Sequence, residues 1–374
     1  MKPIVDATSA PLSSIFGSGF LIIIPILAGA VGSYSVLAMA AVCTLAYVVG
    51  SVIRFNIKHA EPALAGTPGE AMLSFERCSD FALIFAYVIS VSLYIHILSA
   101  FVLGGLHADT AHNENLMTTA VIAVIMAIGI TKGLKALDIL EEVGLYVTLL
   151  IIVLLLFGFA HYDWTVWQSA AGITPARALN HTPWEILTIV AGTLIVVQGF
   201  ETTRYLGSSF SAEIRVRASR WSQIISTAVY LIFVAVALPV LHMLNGKYDD
   251  NSLIALTGVA ASALTVPLIV AAALSQFSAA VADTLAATGN MEETTHGHLR
   301  SKWGCIFVGG GAIALTWSAS TLEIVAFASR AFAFYYMLQC LVAITVSKSL
   351  FQRAWMTVVA VALGFITIFA VPAS

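Results

Sequence analysis

Apolar runs of about twenty residues, separated by short polar stretches, recur along the whole chain. A helix of that length spans the hydrocarbon core of a bilayer. The runs predict eleven transmembrane helices, at about 14–32, 35–56, 81–106, 116–131, 138–160, 184–206, 220–243, 262–289, 303–318, 321–346 and 354–372. Three connecting stretches stand out. Phe55 to Asp80 is polar enough for a loop with a short helix. Ser208 to Arg220 alternates arginine with apolar residues and is expected along the membrane surface. His161 to Pro183 is expected as a loop whose Trp164 and Trp167 act as interfacial anchors.

Two of the runs are interrupted by glycine. Gly17-Ser18-Gly19 lies in the first, and Gly199-Phe200-Glu201 in the sixth. Inside a bilayer every backbone N–H and C=O must be satisfied, so irregular backbone there lines a cavity or faces protein. Paired interruptions in corresponding halves point to a transporter's substrate site.

Composition agrees with a membrane location. The 374 residues are 59% hydrophobic and 10% charged, against about a quarter charged in soluble domains. The placement of the charges gives an orientation. With the N-terminus in the cytoplasm, 14 of the 17 lysines and arginines fall in inside segments. Only Arg177 and Lys247 fall outside, and Arg330 lies within a span. That asymmetry follows the positive-inside rule and places the C-terminus outside. No basic cluster interleaved with aromatics suggests nucleic acid. Cys43, Cys78, Cys305 and Cys340 form no CxxC pair, so neither a metal site nor a disulfide framework is expected. The short N-terminal stretch leads into a glycine-rich run rather than a cleavage site, and is expected to be a retained first helix.

Because five is odd, a second set of five spans runs inverted relative to the first. Spans one and six, the two broken ones, then correspond. The expectation is one all-α transmembrane domain over 1–374, with repeat one at about 14–160, repeat two at about 184–346, and an extra helix at about 354–372.

The segment Ser14-Ile15-Phe16-Gly17-Ser18-Gly19-Phe20, running on to Ile24-Pro25, resembles the first helix of the amino acid–polyamine–organocation (APC) superfamily, whose members share the leucine-transporter fold. Gln198-Gly199-Phe200-Glu201 resembles that superfamily's sixth helix, and Gly133-Leu134-Lys135-Ala136-Leu137 resembles the lead into its fifth. Two departures matter. Some proton-coupled members carry a lysine in span five, where this chain has Thr148. The divalent-metal branch uses Asp-Pro-Gly-Asn in helix one and Met-Pro-His in helix six, and neither motif is here.

A broken helix exposes N–H groups that suit a carboxylate and C=O groups that suit a cation. Gly17, Ser18 and Gly19 are therefore expected at a substrate carboxylate or other polar acceptor, with tight helix packing as the bland alternative. Carbonyls near Val197, Gln198 and Gly199 are expected to receive an ammonium or a coupling cation. Phe200, Tyr94 and His96 are further candidates for the substrate site. A carboxylate at membrane depth is usually functional, which singles out Glu201 for coupling or gating. Its alternative is a local pair with Arg204, three residues on. Asp283 and Arg330 are coupling or gating candidates, or partners in a structural ion pair. In sodium-coupled members of this fold an ion sits against small hydroxyl residues of helix eight. By resemblance, Ala272, Ser275 and Ser278 are a possible sodium site, although Gln276 interrupts the pattern.

These features imply a secondary active transporter of a small organic solute, an amino acid or related amine, rather than an enzyme. No cofactor is expected beyond a coupling Na⁺ or H⁺. The expected partners are the solute and the lipid bilayer, with the oligomeric state open, and the expected location is a bacterial cytoplasmic membrane. A receptor or sensor on a transporter scaffold, or transport of a different solute, are the alternatives.

Overall fold

The computed structural model describes residues 2–131, 133, 138–169, 178–295, 298–299 and 301–373, and every regular element among them is helical. The first span is two helices, α1 (Lys2–Gly19) and α2 (Ile23–Val31), joined by a turn at residues 20–22. The glycine triplet is thus the last turn of α1, not the start of the second half-helix.

α3 (Ser35–Phe55) follows and continues through a wide π turn, Asn56–Ala60, into the short α4 (Glu61–Leu64). Pro62 suits that first turn, where its missing N–H costs nothing. α5 runs from Glu70 to Gly105, 36 residues. Most of the expected polar loop at 55–80 is therefore helix, because Glu70 to Asp80 extends α5 beyond its apolar part.

α6 (Ala111–Thr131) and α7 (Asp138–Gln168) come next. α7 carries the exposed Trp164 and Trp167 on its last turns rather than in a loop. Four of the five residues of the Gly133–Leu137 motif lie outside the described residues.

The sixth span opens with α8 (Pro183–Ala191). A reciprocal Thr182–Glu185 capping box starts it: Thr182 N–H donates to Glu185 Oε2 at 2.7 Å, and Glu185 N–H to Thr182 Oγ1 at 3.3 Å. The helix then unwinds into 3₁₀ turns, Leu194–Val197 and Phe200–Leu206. α9 (Ala212–Ala237) starts within the segment expected on the membrane surface, so Arg215, Arg217 and Arg220 are helical, and Arg215 is buried. α10 (Ser252–Ala260), α11 (Thr265–Thr294), α12 (Ser301–Thr316), α13 (Thr321–Val346) and α14 (Leu350–Phe369) complete the chain. A Ser320–Glu323 capping box opens α13.

Among the described residues, nine helical segments are long and apolar enough to cross a membrane. The expected eleven would also need α12, only 16 residues, and a separate crossing for the broken first span, whose second half runs on into α3.

Two groups of helices form the interior. α1 and α3 pack on α9, and α1 also meets both 3₁₀ turns of the sixth span. In the second group α5 lies along α11 and α13, α6 along α12, and α7 along α11, while α14 packs on α13. Each of the first four expected spans thus touches the span five later. One apolar core, from Ile15 to Ala370, runs through both groups.

Candidate functional site

The two interruptions meet face to face. A Cβ built on Gly19 would lie 2.6 Å from Val196. One on Gly199 would lie 2.7 Å from Ile15 N and from Ser14. Gly199 also holds φ +124°, a conformation that favours glycine. At these glycines the two backbones touch. Gly17 packs against Ala279 of α11. The side chain of Ser18 lies outside the described residues.

Because Gly17 and Gly19 end α1, they present the carbonyl end of a helix dipole, the negative end. The expected carboxylate cradle at Gly17–Gly19 is therefore corrected. The positive end of a helix dipole belongs instead to the start of α2, just after the turn. The carbonyls are partly occupied: Gln276 Nε2 donates to Gly17 O at 2.8 Å. The Tyr230 hydroxyl lies 3.0 Å from Ile15 O and 2.8 Å from Val196 O, tying both first half-helices to α9.

Around this junction lies a buried polar group. Gln198 donates from Nε2 to the Tyr94 hydroxyl at 3.2 Å. Glu201 Oε2 accepts from Gly199 N–H at 2.8 Å and from the Tyr336 hydroxyl at 2.6 Å. Phe200 stacks on Tyr336 with centroids 5.2 Å apart. The Ser90 hydroxyl donates to Asp283 Oδ2. Three acceptor oxygens, Gln198 Oε1, Glu201 Oε1 and Gln276 Oε1, are buried without a donor among the described residues. A set of acceptors lacking donors suits a group rich in N–H bonds, or a bare cation.

Ala272 and Ser275 line a cavity of about 10 Å³ together with Phe16, Phe20 and Thr148. That is room for about one water. The Ser275 hydroxyl donates to Ala272 O at 3.2 Å, a local bond within the helix. Ser278 does not line the cavity and instead faces Gly144. Among the described residues no three of His, Cys, Asp or Glu are grouped to hold a metal ion.

The local Glu201–Arg204 pair does not form. Arg204 reaches Glu76 of α5 at 2.8 Å, lies 3.8 Å from Glu61, and donates to Gln339 of α13. Arg215 grips Glu61 with both guanidinium nitrogens, at 2.9 and 2.6 Å, and donates to Arg204 O at 2.9 Å. Gln339 also bonds Ser79 and Asn56. This clamp joins α4, α5, α9, α13 and the second 3₁₀ turn of the sixth span.

His96 is not part of the junction. It lies 20 residues beyond Glu76 on α5, about 30 Å along the helix. There it lines an open cavity of about 450 Å³ with Glu114, Asn115, Asp249, Asp250 and Glu323. No lysine or arginine lines it. His96 Nε2 lies 3.1 Å from Asn115 Oδ1. Burial raises the Asp250 carboxyl above the usual range, against the lowering effects of the Thr321 hydroxyl and of His96. Arg330 donates from Nε to Ala370 O at 2.6 Å.

A family model described as APC superfamily transporter matches residues 1–371. The chain belongs to the APC superfamily of transporters. An uncharacterized protein of Aquifex aeolicus (strain VF5) is 36% identical over 367 residues, covering 96% of this chain and 89% of that protein. Among solved structures, a histidine-to-alanine variant of the Eremococcus coleocola manganese transporter aligns with a TM-score of 0.57 at 13% identity. That alignment covers 98% of this chain and 85% of the other. It places this APC member in a transporter fold.

Several junction residues carry no signal in sequence. Tyr230 and Tyr336 are ordinary aromatics of apolar runs until α9 and α13 bring them to the breaks. Glu61, Glu76 and Arg215 looked like loop or surface charges, and only the continuation of their helices turns them inward.

Proposed function

We propose that this APC superfamily transporter moves a small organic solute, an amino acid or related amine, by ion-coupled alternating access. The observation that carries this reading is the meeting of two unwound segments around three buried acceptor oxygens without donors. An ammonium supplies the N–H donors those oxygens lack. The start of α2, the positive end of its helix dipole, suits a carboxylate. The acid-lined outer cavity favours a solute bearing positive charge.

The remaining parts fit the same cycle. The Glu61–Arg215 and Glu76–Arg204 pairs close one end, while the His96 end is open. Rocking of the α1, α3 and α9 group against the α5, α6, α11 and α12 group would exchange the two states, as an inverted repeat of five allows. Glu201 is the coupling residue in this reading, and the small cavity at Ala272, Ser275 and Thr148 is the candidate place for Na⁺. We place the closed end in the cytoplasm of a bacterial cell membrane, with eleven crossings, on the strength of the lysine and arginine asymmetry. The manganese transporter is similar in fold alone, and the metal-branch motifs of helices one and six are missing here.

Purified protein in liposomes tests the proposal. Labelled amino acids or amines should accumulate under a Na⁺ or H⁺ gradient and not without one. Failure of every amine and amino acid to accumulate under either gradient would overturn the solute class.

A further inference from the structure

Arg54, one residue before the end of α3, is 6% exposed and makes no ion pair among the described residues. Its guanidinium donates to Gln223 Oε1 and to the Ser219 hydroxyl at 3.5 Å on α9, and to Tyr47 O at 3.2 Å. Its carbon also lies 4.8 Å over the Tyr47 ring. Every one of these partners is neutral. They accept from the guanidinium but leave the charge uncompensated, which is costly in a low-dielectric setting.

More positive charge lies on α9 and in the turn that follows α3. Arg217 and Arg220 on α9 and Lys58 in the π turn are all exposed, and none is in an ion pair among the described residues. Arg217 and Arg220 stand three apart on α9, and Lys58 follows Arg54 by four residues, in the π turn. Arg220 is near enough to Arg54 to act on it electrostatically. Lysines and arginines at a cytoplasmic surface follow the positive-inside rule without any ligand. A buried arginine with no carboxylate is not explained that way.

The surface next to this cluster is apolar. Tyr47, whose ring lies under the Arg54 guanidinium, is exposed, and on α9 so is Ile224, at 42%. From membrane interior to edge, the seam where α3 packs on α9 thus offers the aliphatic Ile224, then the Tyr47 ring, then the cations Arg54 and Arg220. An anionic phospholipid has the matching profile, with acyl chains, an interfacial glycerol and a charged phosphodiester.

We infer that this seam binds an anionic phospholipid, its phosphodiester set against Arg54 and Arg220. The occupant is a lipid rather than free phosphate because the aromatic and aliphatic lane continues from the cations. α3 and α9 both pack in the group that carries the broken helices, so a lipid there braces that group. The inference does not depend on which solute is carried.

Native mass spectrometry of the full-length protein tests it, with phosphatidylglycerol, phosphatidylcholine and inorganic phosphate as probes. Phosphatidylglycerol should remain bound and raise the melting temperature, whereas phosphatidylcholine and phosphate should do neither. Arg220→Gln, at an exposed position, should weaken the adduct about fivefold, and Arg54→Gln by at least as much. Lys302→Gln, on α12, should leave it unchanged. Equal retention of phosphatidylcholine, an equal shift from inorganic phosphate, or an adduct in Arg220→Gln as strong as in Lys302→Gln would each overturn the assignment. The Arg220 variant keeps the test valid should the Arg54 variant fail to fold.

Discussion

Tyr336 donates its hydroxyl hydrogen to Glu201 at 2.6 Å, while the second oxygen of that carboxylate is buried without a donor. The carboxylate is held in place on one side and lacks a donor among the described residues on the other. Under the proposed mechanism, Glu201→Gln keeps the shape but removes the ionisable oxygen. Gradient-driven uptake should fall at least tenfold while exchange of internal for external solute persists. Tyr336→Phe should lower both rates, since a hydrogen bond to a charged group contributes about 1.5–3 kcal/mol. Equal loss of uptake and exchange in Glu201→Gln would remove Glu201 from the coupling step.

The clamp at the Arg204 end has a built-in reporter. Cys340 is fully buried next to Gln339, whereas Cys78 is exposed. In a Cys78→Ser background, Arg215→Gln should raise the alkylation rate of Cys340 by tenfold or more. Removing one partner of a buried ion pair costs about 3–5 kcal/mol, less here because Glu61 is partly exposed. An unchanged alkylation rate would mean that this pair does not hold the end closed.

Tyr230→Phe removes the hydroxyl shared by Ile15 O and Val196 O. A lost donor to buried carbonyls costs about 1–3 kcal/mol, and the melting temperature in detergent should fall accordingly. Solute binding should weaken too, because both half-helices lose the same anchor.

Gly199→Ala should be among the most damaging small substitutions. Its Cβ meets Ile15 N and Ser14 at 2.7 Å, and φ is +124°. Gly258→Ala on α10 meets nothing within 4 Å and should be neutral. Thermal unfolding of the two variants side by side checks the contrast.

Asp250 gives a pH signature. Its carboxyl is raised from an ordinary value of 3.8, chiefly by burial, with Asp249 adding to the rise and Thr321 and His96 opposing it. The folded state therefore holds this proton more tightly than the unfolded one. Its contribution to stability is greatest at or below pH 3.8 and is lost as pH rises from there through the raised value. Asp250→Asn should raise the melting temperature at neutral pH and flatten its pH dependence over that window. A variant as pH-dependent as the parent would contradict the assignment.

Sequence by itself determined the membrane setting, the helical class, and the identity of the two broken spans. The physical reason is that a bilayer imposes length and apolarity on each crossing, and both are local properties. Glycine at positions 19 and 199 was legible as a break for the same reason. Tertiary structure decided the sense of the first break: Gly17 to Gly19 close a helix instead of opening one, a shift of a few residues that exchanges N–H donors for carbonyl acceptors. It also decided the partners. Arg204 lies three residues from Glu201, yet it pairs with Glu76, 128 positions away, because the 3₁₀ turn points it toward α5. Glu61 and Arg215 looked like solvated charges in loops, and became a clamp only because α4 and α9 continue past the apolar runs. Such pairings depend on which helix faces meet, and no local pattern along the chain encodes that.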